Sequence, residues 1–163
     1  MTFLEKIKND LTSLMKSKQE LDVLVLRQIL AAVLNKEKEK RYKLSKDGVD
    51  GEKLKKESQL SEEEILAVVV SEAKKRKEAI VEFEKGARDD LVKKEKAELV
   101  ILEKYLPSQL SKEEIISIAK EIMQKLNVQT AKDIGKVMSE LMPKLRGRAD
   151  GMTVSNIVRE LLP

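Results

Sequence analysis

The stretch Asp133–Leu162, DIGKVMSELMPKLRGRADGMTVSNIVRELL, predicts two short helices that meet at a tight corner. Its first half repeats apolar residues at the spacing of one helix face, until Pro143 stalls the helix and Gly147 ends it. Asp150 then suits the N-cap of a second helix, because its carboxylate can accept hydrogen bonds from free backbone N–H groups. The two apolar faces consist of Ile134, Val137, Met138, Leu141 and Leu145, and of Val154, Ile157, Val158, Leu161 and Leu162.

The corner between these helices carries charge of one sign. Every charged side chain between Glu140 and Asp150 is cationic, and another lysine lies upstream on the first helix. Cations of this kind neutralise the backbone phosphates of nucleic acids, although a solvated surface can show the same pattern. The candidate nucleic-acid-binding residues are therefore Lys136, Lys144, Arg146 and Arg148.

Capping signals divide the rest of the chain into further helices. Thr2 with Glu5, Ser61 with Glu64, and Ser111 with Glu114 have the spacing of a capping box. The predicted helices run from Thr2 to Lys18, Leu21 to Arg41, Ser61 to Gly86, Asp89 to Tyr105 and Ser111 to Leu126, and Asn127–Thr130 leads to the corner. Pro107 separates two parts, because proline disfavours helical geometry in the residue before it.

We therefore predict an all-α fold with two domains. Residues 1–106 form an N-terminal helical bundle with a long helical hairpin, and residues 107–163 form a small three-helix domain. The second helix is apolar nearly all round from Val23 to Leu34, which places it in the middle of the bundle. Tyr42–Leu60 is polar and contains Gly48 and Gly51, so we expect a mobile loop there.

Four charged residues have helical spacings that place them among apolar neighbours. A buried unpaired charge costs several kcal/mol, so arginines on the second and third helices should pair with glutamates on the fourth. The predicted structural ion pairs involve Arg27, Arg76, Glu95 and Glu98. A glutamate beside an arginine has a lowered pKa and makes a poor general base, which favours a structural role.

The composition excludes several kinds of chemistry. The chain has no cysteine, no histidine and no tryptophan, so thiolate nucleophiles, imidazole acid/base groups and thiolate or imidazole metal sites are absent. Its six glycines form no phosphate-binding loop. We predict no catalytic residues, no metal and no cofactor. The sequence also shows no secretory signal and no membrane-spanning run, so we expect a cytoplasmic protein with no membrane partner.

Four sequence blocks resemble the YqeY family in the order that the family has them. They are RQILAAVLN at 27–35, KRKEAIVEFEKGARDDL at 75–91, EKAELVILEKYLPSQLSKEE at 95–114 and GKVMSELMPKLRGRADG at 135–151. The matching positions include Gly86, Arg88, Tyr105, Pro107, Gln109 and Gly147. The resemblance covers nearly the whole chain, except that Tyr42–Leu60 is longer and more polar than the usual connection.

This resemblance implies a helical protein whose C-terminal part is similar to the tail domain of GatB, a subunit of tRNA-dependent amidotransferase. It also implies carbon–nitrogen ligase activity with glutamine as the amide donor, but the chain shows no nucleophile triad and no phosphate cradle. We expect a non-catalytic tRNA-binding or tRNA-associated adaptor, with tRNA and components of an amidotransferase or synthetase as partners. The alternatives are the ligase or its accessory subunit, and a helical protein-interaction module without nucleic acid.

Overall fold

The structure is a computed structural model that describes residues 1–128 and 130–162. In these residues it contains eight α-helices, one short 3-10 helix and no strand, so the all-α prediction is confirmed. The helices are α1 (Phe3–Lys16), α2 (Glu20–Lys46), α3 (Gly51–Glu57), α4 (Glu62–Lys85), α5 (Asp89–Glu103), α6 (Lys112–Lys125), α7 (Ile134–Leu145) and α8 (Gly151–Leu161), with the 3-10 helix at Ala131–Asp133. Gln129, in the predicted connection, and Pro163, the end of the predicted second domain, lie outside the described residues.

The chain divides into two compact units, Met1–Tyr105 (unit 1) and Leu106–Pro163 (unit 2). Tyr105 closes unit 1: its hydroxyl donates a hydrogen bond of 2.9 Å to Asp10, and the Lys6 ammonium lies 5.8 Å from the centre of its ring. Burial, followed by the hydrogen bond to Asp10, raises the pKa of Tyr105. The hydroxyl therefore remains a hydrogen-bond donor at physiological pH, and it ties the C-terminal end of unit 1 to α1.

Capping boxes start the helices that were predicted from them. The side chains of Thr2, Ser61 and Ser111 each accept from the backbone N–H three residues later, and the glutamate at that position accepts in return. Unit 1 then packs the α4–α5 hairpin against α2, while α1 packs on α2 and α4. Its buried apolar residues include Ile7, Val25, Leu26, Ile29, Val33, Ile65, Val69, Ala73, Ile80, Val92, Ile101 and Leu102.

Helix α2 packs against α1, α3, α4 and α5, which agrees with the prediction that it lies in the middle of the bundle. It buries one stripe, while Leu24 and Leu34 on its opposite face are 43% and 51% exposed. The apolar pattern of α2 predicts contacts on nearly every side, whereas these two leucines face solvent. The exposed face of α2 is therefore surface in unit 1.

The prediction of a loop over Tyr42–Leu60 is wrong. Helix α2 continues to Lys46, and α3 follows after a short turn. Lysine, glutamate and leucine favour helices, and Leu44 and Leu54 are half-buried where α3 packs on α2. The few large apolar residues of this segment are the reason why its sequence predicts a loop.

Polar contacts hold the α3 segment in place. The Lys40 ammonium donates to the two carboxylate oxygens of Glu64 at 2.8 and 3.0 Å and to the Gln59 carbonyl at 3.0 Å. The Glu37 carboxylate accepts from the Leu60 backbone N–H at 3.3 Å. The end of α2 is thereby joined both to the residues that follow α3 and to the start of α4.

Unit 2 has a hydrophobic core of its own. Its buried residues all come from α6, α7 and α8: Ile115, Ala119, Ile122, Val137, Leu141, Leu145, Val154, Ile157 and Val158. Helix α7 continues past Pro143 to Leu145, whereas we had expected it to stall at the proline. Pro143 lies in the last turn, where the missing N–H removes a single helical hydrogen bond.

A fragment of residues 106–163 should therefore fold alone, because three of its helices together form a hydrophobic core. We expect a helical circular dichroism spectrum and a cooperative thermal transition, of modest stability because units of this size bury little surface. A gradual, non-cooperative loss of ellipticity would contradict the autonomy of unit 2.

Lys40→Met should loosen the segment around α3, because methionine keeps much of the side-chain length and removes the donor to Gln59 and Glu64. A hydrogen bond to a charged group contributes about 1.5–3 kcal/mol, and partial exposure reduces that figure. We expect amide hydrogen exchange to speed up roughly tenfold in residues 47–60 and little elsewhere. The matched control is Lys36→Met, which breaks only the ion pair with Glu39 inside α2.

Acid should have the same effect as Lys40→Met. The hydrogen bond from Lys40 lowers the pKa of Glu64, and the bond from the Ser61 backbone lowers it further. This pairing is therefore complete above the ordinary pKa of a glutamate and is lost as the pH falls through the lowered value. If the exchange protection of residues 47–60, corrected for intrinsic rates, is the same in Lys40→Met and in the parent, Lys40 does not hold this segment.

Candidate nucleic-acid interface

The basic corner of unit 2 is a fixed turn. Gly147 has φ +75°, which favours glycine, and the Arg148 and Ala149 backbone N–H groups donate to the Leu145 carbonyl at 2.9 and 3.2 Å. The Asp150 carboxylate accepts from the Thr153 backbone N–H at 3.0 Å, as an N-cap should. The turn is therefore determined by local hydrogen bonds at both helix ends.

Residues 107–110, which we call the strap, hold the corner from outside. The Gln109 side-chain amide donates to the Gly147 carbonyl at 2.8 Å, and the Leu110 backbone N–H donates to the Arg148 carbonyl at 2.8 Å. In return the Arg148 Nε donates to the Ser108 carbonyl at 3.3 Å. The strap therefore satisfies two carbonyls of the turn between α7 and α8. We had not predicted a role for Gln109; its place in a family block was the only signal.

The four predicted phosphate-binding side chains differ in their exposure and in whether they already have a hydrogen-bond or ion-pair partner. Lys144 and Arg146 are exposed and make no ion pair or hydrogen bond with the described part of the chain. Arg148 is half-buried, and its Nε donates a hydrogen bond to the strap. Lys136 pairs with Asp133 at 3.2 Å. Lys136 also lies two turns of α7 before Lys144, about 12 Å along the axis. The corner proper thus offers two free cations and one partly engaged arginine.

A buried charged cluster in unit 1 involves only two of the four residues predicted for it. Arg76 and Glu98 are 7% and 4% exposed, and the Glu98 Oε2 accepts from the Arg76 Nε and Nη2 at 3.1 and 3.0 Å. The Arg76 Nη1 also donates to the Glu72 carboxylate at 3.3 Å and to the Glu72 carbonyl at 3.2 Å. The Gln28 side-chain oxygen accepts from Nη2. This cluster joins α2, α4 and α5.

Arg27 and Glu95 do not join this cluster. Arg27 is exposed, and its guanidinium lies 4.0 Å from the Met15 sulfur. Glu95 is half-buried and forms no ion pair within the residues that the structure describes. One position along a helix turns a side chain by about 100°, so a small error in a predicted face moves a residue out of the core. The places predicted for Arg27 and Glu95 are therefore taken by Gln28 and Glu72, which sequence reasoning missed.

A cleft of about 700 Å³ lies between α2 and α4, next to this cluster. Its lining includes small residues such as Ala31 and Ala67, and most of its charged residues pair with one another. Lys36 pairs with Glu39 at 2.9 Å, and Lys75 pairs with Glu72 at 2.7 Å. Because these cations already have carboxylate partners, the cleft is a poorer phosphate site than the corner.

Every helix in the described residues is too short or too polar to span a bilayer.

Comparison with known proteins agrees with the sequence blocks. A family model described as "Yqey-like protein" matches residues 46–162. The chain belongs to the YqeY family. This confirms the resemblance, and the matched range includes residues 46–60, which belong to the segment that departs from the family pattern in length and polarity.

Two relatives share the name "Altered inheritance of mitochondria protein 41, mitochondrial". The one from Pyrenophora tritici-repentis is 26% identical over 163 residues, which cover 98% of this chain and 80% of that protein. The one from Kluyveromyces lactis is 30% identical over 145 residues, which cover 84% of this chain and 70% of that protein. Both names refer to mitochondria, so the expected cytoplasmic location of this YqeY-family chain stays a prediction.

Glu98→Ala should destabilise unit 1 by about 3 kcal/mol, because it leaves the buried Arg76 guanidinium without its main partner. Glu98→Gln should cost less, because the amide oxygen still accepts a hydrogen bond. Urea unfolding followed by circular dichroism measures both changes.

Glu95→Ala is the matched control, since it removes a glutamate from the same helix that has no ion pair in the described residues. It should change the free energy of unfolding by less than about 1 kcal/mol. Equal effects of Glu95→Ala and Glu98→Ala would show that the buried pair contributes nothing beyond the helix itself.

Proposed function

We propose that this YqeY-family protein is a non-catalytic adaptor that binds folded RNA, above all tRNA, through the basic corner of unit 2. The observation that supports this most directly is the state of Lys144 and Arg146. They are exposed, they have no partner within the described chain, and they flank a turn whose backbone is fixed by the strap. Free cations on a rigid support can meet phosphates without first breaking an ion pair.

Phosphate contacts should come from side chains here and not from a helix end. The N-terminus of α8 is a general kind of anion site, but the Asp150 carboxylate accepts from its Thr153 N–H group and places a negative charge there. Arg148 can contribute through the guanidinium nitrogens that the strap does not use. Contacts of this kind set position and affinity with little preference for base sequence.

The other two hypotheses stay predictions. Glutamine-dependent carbon–nitrogen ligase activity follows from the family resemblance alone. A helical protein-interaction module has support in the exposed apolar residues of α2, among them Leu24 and Leu34. Components of a tRNA amidotransferase or synthetase remain the expected protein partners of the adaptor.

The salt dependence of tRNA binding tests the proposal. If about three phosphates are neutralised, the logarithm of the association constant should fall with the logarithm of salt at a slope of roughly −3. Lys144→Ala with Arg146→Ala should flatten that slope by about two. The melting temperature should stay nearly unchanged, because both side chains are exposed and unpaired in the described structure.

The matched control is Lys120→Ala with Lys125→Ala, which removes the same charge from exposed positions of α6 in unit 2. Equal loss in both double variants would mean that diffuse positive charge holds the RNA. No detectable tRNA binding by the parent at low salt would end the adaptor proposal. Arg148→Ala should weaken binding and also lower the melting temperature, because it removes a hydrogen bond to the strap.

A further inference from the structure

The C-terminal part of α2 presents a face of cations around one exposed tyrosine. Lys38, Arg41, Tyr42, Ser45 and Lys46 have the i, i+3, i+4, i+7, i+8 spacing of one helix face, and all five are exposed. No acidic residue occupies this spacing. We call these five residues the basic-aromatic face. It exists because α2 continues through Lys46, where the sequence had predicted a loop.

Two carboxylates that neighbour this face, Glu37 and Glu39, are engaged with other groups. Glu37 accepts from the Leu60 backbone N–H, and Glu39 pairs with Lys36 at 2.9 Å. That hydrogen bond from Lys36 is the main reason why the pKa of Glu39 is lowered. Lys38 and Arg41 therefore have no carboxylate partner among the described residues. The cations of this face form no ion pair within the described residues, in contrast to the paired rim of the adjacent cleft.

Tyr42 is placed differently from the only other tyrosine of the chain. Tyr105 is buried and its hydroxyl binds Asp10, whereas Tyr42 is 62% exposed and its hydroxyl binds nothing in the described structure. The Lys46 ammonium lies 4.9 Å from the centre of the Tyr42 ring, within range of a cation–π contact. This contact involves one side of the ring, and the high exposure leaves the ring accessible to a flat partner.

We propose that the basic-aromatic face binds unpaired nucleotides of RNA, with one base stacked on Tyr42 and neighbouring phosphates held by Lys38, Arg41 and Lys46. An aromatic ring can stack only on a base that is free of its duplex, so the tyrosine points to a loop or a single-stranded end. The cations extend over about 12 Å of helix, a length suited to a few nucleotides. The preference for RNA over DNA rests on the proposed function of unit 2, whereas the face itself belongs wholly to unit 1.

Fluorescence anisotropy of a labelled oligouridine of about twelve nucleotides, titrated with the full chain at low salt, tests this proposal. Tyr42→Ala should weaken binding about tenfold and Tyr42→Phe should bind nearly as the parent, because phenylalanine retains the stacking ring. The triple variant Lys38→Ala, Arg41→Ala, Lys46→Ala should flatten the logarithmic salt slope by about two, since each single-strand phosphate contributes roughly 0.7. The matched control is Lys53→Ala, Lys55→Ala, Lys56→Ala, which removes equal charge from exposed positions on α3.

Several results would overturn the proposal. These are no binding of oligouridine by the parent, equal loss in the two triple variants, and a Tyr42→Phe variant as weak as Tyr42→Ala. If the parent does not bind oligouridine, a protein that binds the parent but not the Lys38, Arg41 and Lys46 triple variant would show that the face binds a protein instead. Equal affinity for oligodeoxythymidine would overturn the RNA preference.

The two RNA proposals can fail separately. Lys144→Ala with Arg146→Ala should leave oligouridine binding unchanged, because those side chains belong to the corner of unit 2. If the parent binds oligouridine through Tyr42 but does not bind folded tRNA, the corner proposal fails and this inference stands. If tRNA binding depends on the corner and oligouridine is not bound, the corner proposal stands and this inference fails.

Discussion

The burial of one guanidinium determines how unit 1 is assembled. Arg76 is buried, and an unpaired buried cation would cost several kcal/mol, so its donors must find acceptors. Glu98 on α5, Glu72 on its own helix and Gln28 on α2 supply them. Apolar contacts alone would tolerate small shifts of one helix along another, whereas hydrogen bonds near 3 Å do not. The cluster therefore specifies the register of three helices, even where its net contribution to stability is small.

That register also decides which side of α2 faces water. Gln28 is turned toward Arg76, and the buried stripe of α2 runs through Val25, Ile29 and Val33. Leu34 is left on the surface, and two turns later the same side of the helix bears Tyr42. A helix that is apolar on nearly every side has no preferred orientation of its own. The hydrogen bond between Gln28 and the buried Arg76 therefore orients α2, which its apolar residues alone do not do.

Local signals in the sequence predicted local structure well, and contacts between distant residues account for what was missed. The capping boxes at Ser61 and Ser111 involve residues three apart, so their spacing alone was sufficient. Glu72 could have been found, because it lies four residues before Arg76, the distance at which helical side chains meet. Arg27 and Glu95 were misplaced, since the rotation of a helix depends on its neighbours. The α3 helix was missed because its few large apolar residues gave no helical stripe, and its packing partner α2 lies elsewhere in the chain.

The two cationic surfaces show why net charge is a weak guide to a nucleic-acid partner. The chain carries a formal charge of +4, and its basic and acidic residues are mixed along most helices. What matters is which cations lack a carboxylate neighbour. At the corner the sequence between Glu140 and Asp150 is free of acids, so the pattern could be recognised directly. On α2 the sequence alternates lysine and glutamate, and only the structure shows that Glu37 and Glu39 are occupied elsewhere. A carboxylate that already accepts a hydrogen bond from a backbone N–H or pairs with a neighbouring lysine neutralises less of the charge of a cation on another side of the helix. The free charge of a surface is thus set by its hydrogen bonds as much as by its composition.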